Sequence, residues 1–189
     1  MDPKLNLFPL YCLPPLNFLK AFANADKAQL ALGEKFEKQT NRNRFAIAGP
    51  NGRQLLSLPL VHTSSHAAMC DVQLDYAQPW NIKHWRSIET AYNKAPFFEF
   101  YSHYFERLFS QHYFLLAEWN LEAMKCVTKS LKLSVELGLS TEKCQTLNCQ
   151  FATSHSPYNQ VFIEKNGFIA NLSVLDLIFN EGPMAKDYL

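Results

Sequence analysis

Five cations, Lys35, Lys38, Arg42, Arg44 and Arg53, fall within one short stretch of a chain whose net charge is only +1. They lie among the amide side chains Gln39, Asn41 and Asn43. Arginine presents a planar fork of N–H donors that fits phosphate or carboxylate, so Lys38, Arg42 and Arg44 could hold an anion while Asn43 orients it. Two structural alternatives compete. The cations could protect the solvated edge of a hairpin from aggregation. Arg42 and Arg44, on one face of a regular strand, could instead pair with Glu34 and Glu37. A proton acceptor would come from His62 or His84, since imidazole has an ordinary pKa of about 6.5 and exchanges protons near neutrality. Arg86, next to Trp85 and two residues from His84, offers a second anion contact.

Other reactive side chains carry less weight. His62, His66 and His84 could meet at a metal, but a four-residue gap is ligand spacing only on a helix, and Thr63-Ser64-Ser65 reads as loop. No metal and no cofactor are therefore expected. Cys12 precedes a helix whose dipole could lower its pKa, yet a free cysteine in apolar surroundings is more often buried and inert. Asp71, Asp75 and Asp176 are candidate carboxylates, with Asp176 already explained by a helix start. The chain has no P-loop, no Gly-x-Gly-x-x-Gly, no Gly-x-Ser-x-Gly and no His-Glu-x-x-His. The main motif routes to an NTPase, a Rossmann dehydrogenase, an α/β-hydrolase or a zincin are thereby removed.

The elements that must position these residues belong to a single domain spanning residues 1–189, with 48% hydrophobic and 14% aromatic content to fill a core. Acids and bases number 17 and 18, so the broad positive field of a nucleic-acid binder is missing and any anion site is local. Five cysteines without a Cys-x-x-Cys pair fit reduced thiols and a cytoplasmic location. The proline-punctuated start does not read as a signal peptide, and no apolar run reaches the roughly 18 residues of a spanning helix.

Leu5 to Leu13 reads as a strand, Leu16 to Ala25 as a helix opened by Pro14-Pro15, and Ala28 to Leu32 as a strand, the order of a βαβ crossover. Arg44 to Ala48 and Gln54 to Val61 flank Pro50-Asn51-Gly52, a hairpin signal. Pro59 places the return strand at an edge or end. Val72 to Tyr76 could add a strand. Helices follow at Pro79 to Lys94, through the aromatic stripe Phe97, Tyr101, Tyr104, Phe105 and Leu108, and at Phe114 to Leu137 with Gly138 as the stop. Thr146 to Phe151 reads as a strand, and Ser173 caps a last helix that ends before Asn180. The expected class is α/β: a small mixed sheet with a β-hairpin in the N-terminal half, and a helical C-terminal half.

Four blocks carry a resemblance. They are Lys38-Gln39-Thr40-Asn41-Arg42-Asn43-Arg44; Gly49-Pro50-Asn51-Gly52 with Leu56-Ser57-Leu58-Pro59; His84-Trp85-Arg86 through Tyr92 to Pro96-Phe97-Phe98; and Gly167-Phe168 through Asn171-Leu172-Ser173 to Phe179-Asn180-Glu181-Gly182-Pro183. In order and spacing they resemble the WbqC-like family in its short form. The resemblance implies a role in making or modifying bacterial surface sugars of the O-antigen type, with the reaction open. Longer members carry His-Gln-Pro-Asn ahead of the segment matching Cys12-Leu13-Pro14, where this chain has Phe8-Pro9-Leu10-Tyr11. A catalytic use of that histidine is not open to this chain. The opening strand, loop and helix also resemble the start of nucleotidylyltransferase folds, without their histidines. Two functions are expected to compete: a transferase binding an anionic small molecule such as a nucleotide sugar or an acyl donor, and a non-catalytic scaffold docking a partner or lipid-linked saccharide. A converging pocket would favour the first. Exposed Tyr101, Tyr104 and Trp119 on a flat basic surface would favour the second.

Overall fold

Proline at positions 14 and 15 leaves the chain without two backbone donors where helix α1 (Leu16–Ala23) begins, a place where those donors would lack helical partners. Its apolar face, Leu16, Phe18, Leu19 and Phe22, is buried. The helix connects β1 (Asn6–Pro9) to β2 (Lys27–Ala31), and the two strands pair in parallel with Phe8 opposite Leu30. The expected crossover is present. The computed structural model describes residues 6–25, 27–62, 67–142, 151 and 156–189. The expected strand over 146–151 lies outside them except for Phe151.

The hairpin forms as β3 (Arg44–Gly49) and β4 (Gly52–Ser57), antiparallel from Arg44 opposite Ser57 to Gly49 opposite Gly52. Gly52 has φ +100°, a conformation that favours glycine at the tip. β4 stops at Ser57, two residues before Pro59. The segment expected as a strand at Val72 to Tyr76 makes only isolated bridges, Leu74 to Leu60 and Gln73 to Leu115.

Three helices follow: α2 (Trp80–Tyr92), α3 (Phe98–Ser110) and α4 (Leu116–Ser130). The third is shorter than its expected span to Leu137. Lys132 takes φ +48°, which ends the helix, and β5 (Glu136–Ser140) then pairs in parallel with β2. Leu131, Leu133, Val135, Leu137 and Leu139 alternate with period two, a strand pattern that overrides the helical reading. Gly138 is not a helix stop but a mid-strand residue opposite Gln29, where an added Cβ would lie 3.2 Å from the Gln29 side chain. The fold is α/β, with a parallel sheet ordered β1-β2-β5 and a separate antiparallel hairpin.

A single turn, α5 (Ile163–Asn166), precedes α6 (Val174–Glu181). The Ser173 hydroxyl accepts from Leu175 N and donates to Leu13 O, so the cap also ties the last helix to the N-terminal unit. Ser173 N donates to Ala46 O on β3 at 2.7 Å, and Val174 N to Pro14 O at 2.9 Å. α6 continues through Asn180 to Glu181, and its residues from Val174 to Asn180 are all buried, as expected of a central core helix. Around it, Phe179 meets Tyr92, Phe98 and Phe105 with ring centroids 5.0–5.7 Å apart.

Candidate functional site

The cation cluster does not act as one unit. Arg42 is buried, and its guanidinium binds Glu34, also buried, through Nε to Oε1 at 3.1 Å and Nη2 to Oε2 at 2.6 Å. Nη1 reaches the Thr40 hydroxyl at 3.4 Å, and the group lies 5.6 Å from the Tyr11 ring centroid. The choice left open by the sequence is settled at Arg42 in favour of the ion pair. Arg53 bonds the carbonyls of Ala170 and Asn171, pinning the hairpin to the segment before α6. Lys35 sits in a bridge to Ala68.

The buried pair supports the loop above it. Asn120 on α4 donates to Leu10 O and Arg42 O, while Cys12 N donates to Asn41 O at 2.8 Å. Held from below in this way, the loop carries Gln39 at φ +64°, an uncommon backbone for a residue other than glycine and one that often marks functional loops. Asn43 then joins the loop to the chain beyond β4: its carbonyl accepts from Leu58 N at 2.9 Å and its Nδ2 donates to Leu58 O at 3.3 Å.

Between loop and return chain lies an open cleft of about 420 Å³, lined by Lys38, Gln39, Asn43, Arg44, Leu58, Pro59, Leu60, Val61 and His62. It brings together four residues expected from sequence: Lys38, Asn43, Arg44 and His62. Among the described residues no acidic side chain lines it, and Glu34 neutralises Arg42 beneath, so the charge that the described residues bring to the cleft comes from Lys38 and Arg44. Asn43 Oδ1 and Arg44 Nε are buried without hydrogen-bond partners among the described residues. Buried polar atoms in folded proteins are nearly always hydrogen-bonded, so these two atoms stand out. The wall from Leu58 to Val61 is braced by Val61 N donating to Gln73 O.

His84 and Arg86 are not brought to this cleft. His84 is partly buried on α2 between Phe45 and Trp80, with ring centroids 6.2 and 5.4 Å away. Burial lowers its pKa to about 4, so it is uncharged at neutral pH. Arg86 lines a shallow groove with Pro50 and Gln54 at the hairpin tip, while the cleft lies at the open end. The strand between them is roughly 17 Å long at about 3.4 Å per residue.

The other candidates are engaged structurally. Cys12 is fully buried and its thiol is pushed well up by desolvation, opposite to the shift a nucleophile requires. Asp75 accepts from Ala77 N in a local turn, and the exposed Asp71 accepts from the Cys70 thiol. Asp176 does more than open a helix. It is fully buried, with Oδ2 accepting from Tyr158 Oη at 2.7 Å and from Gln160 Nε2 at 2.8 Å. Desolvation raises its pKa, against the pull of these hydrogen bonds, and the same burial together with the Asp176 charge raises Tyr158. Nothing in local spacing signalled Tyr158 and Gln160 as its partners. Sequence reasoning also missed Gln39 and the Leu58–Val61 wall, although Pro59 marked where the return strand ends.

Of the aromatics that a docking surface would need exposed, Trp119 is fully buried and Tyr101 and Tyr104 pack partly buried against the core. No described helix is long and apolar enough to cross a membrane. The model of the WbqC-like protein family matches residues 9–150. No curated protein and no solved structure matches the chain.

Proposed function

This chain belongs to the WbqC-like protein family, and from that premise and the cleft at the open end of the hairpin we propose a cytoplasmic transferase that binds an anionic activated donor during synthesis or modification of bacterial surface sugars. The supporting observation is the convergence of Lys38, Asn43, Arg44 and His62 on one cleft with no acidic side chain among its described lining residues. Lys38 and Arg44 hold the donor's phosphate or carboxylate group. Asn43 orients it, and Arg42 acts as a positioning residue through Glu34. In the transfer step His62 takes the proton of an acceptor hydroxyl as that oxygen bonds to the transferred carbon. The bond to the leaving group breaks, and the leaving group departs with the electron pair and is stabilised by the two cations. His84, uncharged in its aromatic niche, supports the fold around this chemistry, and Arg86 lies at the far end of the hairpin.

Binding can be followed at the His62 imidazole by NMR, its signal assigned by loss in His62→Ala. Uridine diphosphate glucose or acetyl-coenzyme A should move that signal, and Lys38→Ala/Arg44→Ala should weaken the response at least tenfold with the urea midpoint unchanged. A His62 signal indifferent to both probes, or a double variant that binds like wild type, would overturn the proposal.

A further inference from the structure

A second basic site lies between α3 and α4, away from the cleft. The two helices pack through apolar side chains, but along one flank they present polar ones to a groove of about 560 Å³. His103 and Arg107, four residues apart on α3, face Glu122, Lys125 and Lys129 on α4. The single acid in this set, Glu122, already pairs with Lys125 at 2.5 Å. Arg107 and Lys129 have no ion-pair partner among the described residues.

Like charges gathered on facing walls repel one another, and an anion between them removes that repulsion. Lys129 is also directed, with Nζ 4.9 Å from the Tyr104 ring centroid, and the His103 ring lies against the same ring, tilted by 39° at a centroid distance of 4.0 Å. Side chains restrained in this way lose less freedom when a ligand arrives. Arg107 supplies a bidentate fork from one wall, and Lys129, with Lys125 held by Glu122 beside it, supplies a point charge from the other. That division suits two linked phosphoryl groups better than one carboxylate. The volume falls in the range of organic-ligand pockets, well beyond a bare phosphate ion.

We propose that this groove binds a diphosphate group carried on an organic body of nucleoside size, through Arg107 and Lys129. His103 provides a local reporter. Uridine diphosphate should shift the His103 imidazole signal, inorganic pyrophosphate should do so more weakly, and uridine should leave it unmoved. Arg107→Gln/Lys129→Gln, both exposed positions, should weaken the uridine diphosphate response at least tenfold. The Lys38→Ala/Arg44→Ala variant should retain it, so this site and the hairpin cleft stand or fall separately. A silent His103, an undiminished affinity in the Gln variant, pyrophosphate binding as tightly as uridine diphosphate, or an equal response to uridine would each overturn the assignment.

Discussion

Replacing Glu34 by Gln tests whether the buried ion pair builds the cleft. Glutamine keeps the length of the side chain and one oxygen facing Arg42, but removes the charge that compensates a guanidinium only 1% exposed. Breaking a buried pair by removing one partner costs about 3–5 kcal/mol, because the other charge is left in a poorly solvated interior. Part of that is offset here by the Thr40 hydroxyl at 3.4 Å and the Tyr11 ring beneath the guanidinium. The expected loss is therefore about 3 kcal/mol, about two decades in the folded-to-unfolded ratio. For a chain of this length that corresponds to a fall in Tm of roughly 6–12 °C. Urea denaturation of wild type, Glu34→Gln, Arg42→Met and the double variant gives the coupling directly. The double variant should be less destabilised than the sum of the singles, since an apolar side chain leaves no charge stranded. A Glu34→Gln cost below about 1 kcal/mol, the value of an exposed pair, would falsify the argument, as would simple additivity.

Three further outcomes follow from buried groups elsewhere. His84 has a folded-state pKa of about 4, below its ordinary 6.5, so the unfolded chain binds the proton first and stability falls as pH drops from about 6.5 through 4. The loss approaches about 3 kcal/mol at the acid end, and His84→Gln should flatten the slope in that window of a pH series of urea midpoints. Tyr158→Phe removes a donor from the buried Asp176 carboxyl and should cost about 1–3 kcal/mol, whereas a change under about 0.5 kcal/mol would mean the network is slack. Gly182 has φ +51°, and a Cβ there would run into the Phe97 ring, so Gly182→Ala should lower stability by roughly 2–4 kcal/mol in thermal denaturation.

The sequence by itself determined the pieces whose causes are local. Pro14-Pro15 before an apolar face, Asn51-Gly52 between alternating strands and Ser173 ahead of an apolar run act over a few residues, and α1, the hairpin and α6 follow them closely. The α/β class was legible for the same reason. Where two periods overlap, local reading failed: the alternating leucines after Lys132 became β5 because β2 offered a parallel edge, a partner more than a hundred residues earlier. The site divides in the same way. Arginines beside an Asn-Gly turn raised the expectation of an anion site, and four of the residues expected there line one cleft. Only the tertiary structure could decide that Arg42 turns inward to Glu34 while Lys38 and Arg44 line the cleft, because the direction of a side chain depends on what is buried beneath the loop. The same holds for His84. Its residue type permits proton transfer, but packing between Phe45 and Trp80 removes it from the cleft and lowers its pKa through desolvation, an effect set by neighbours distant in the chain.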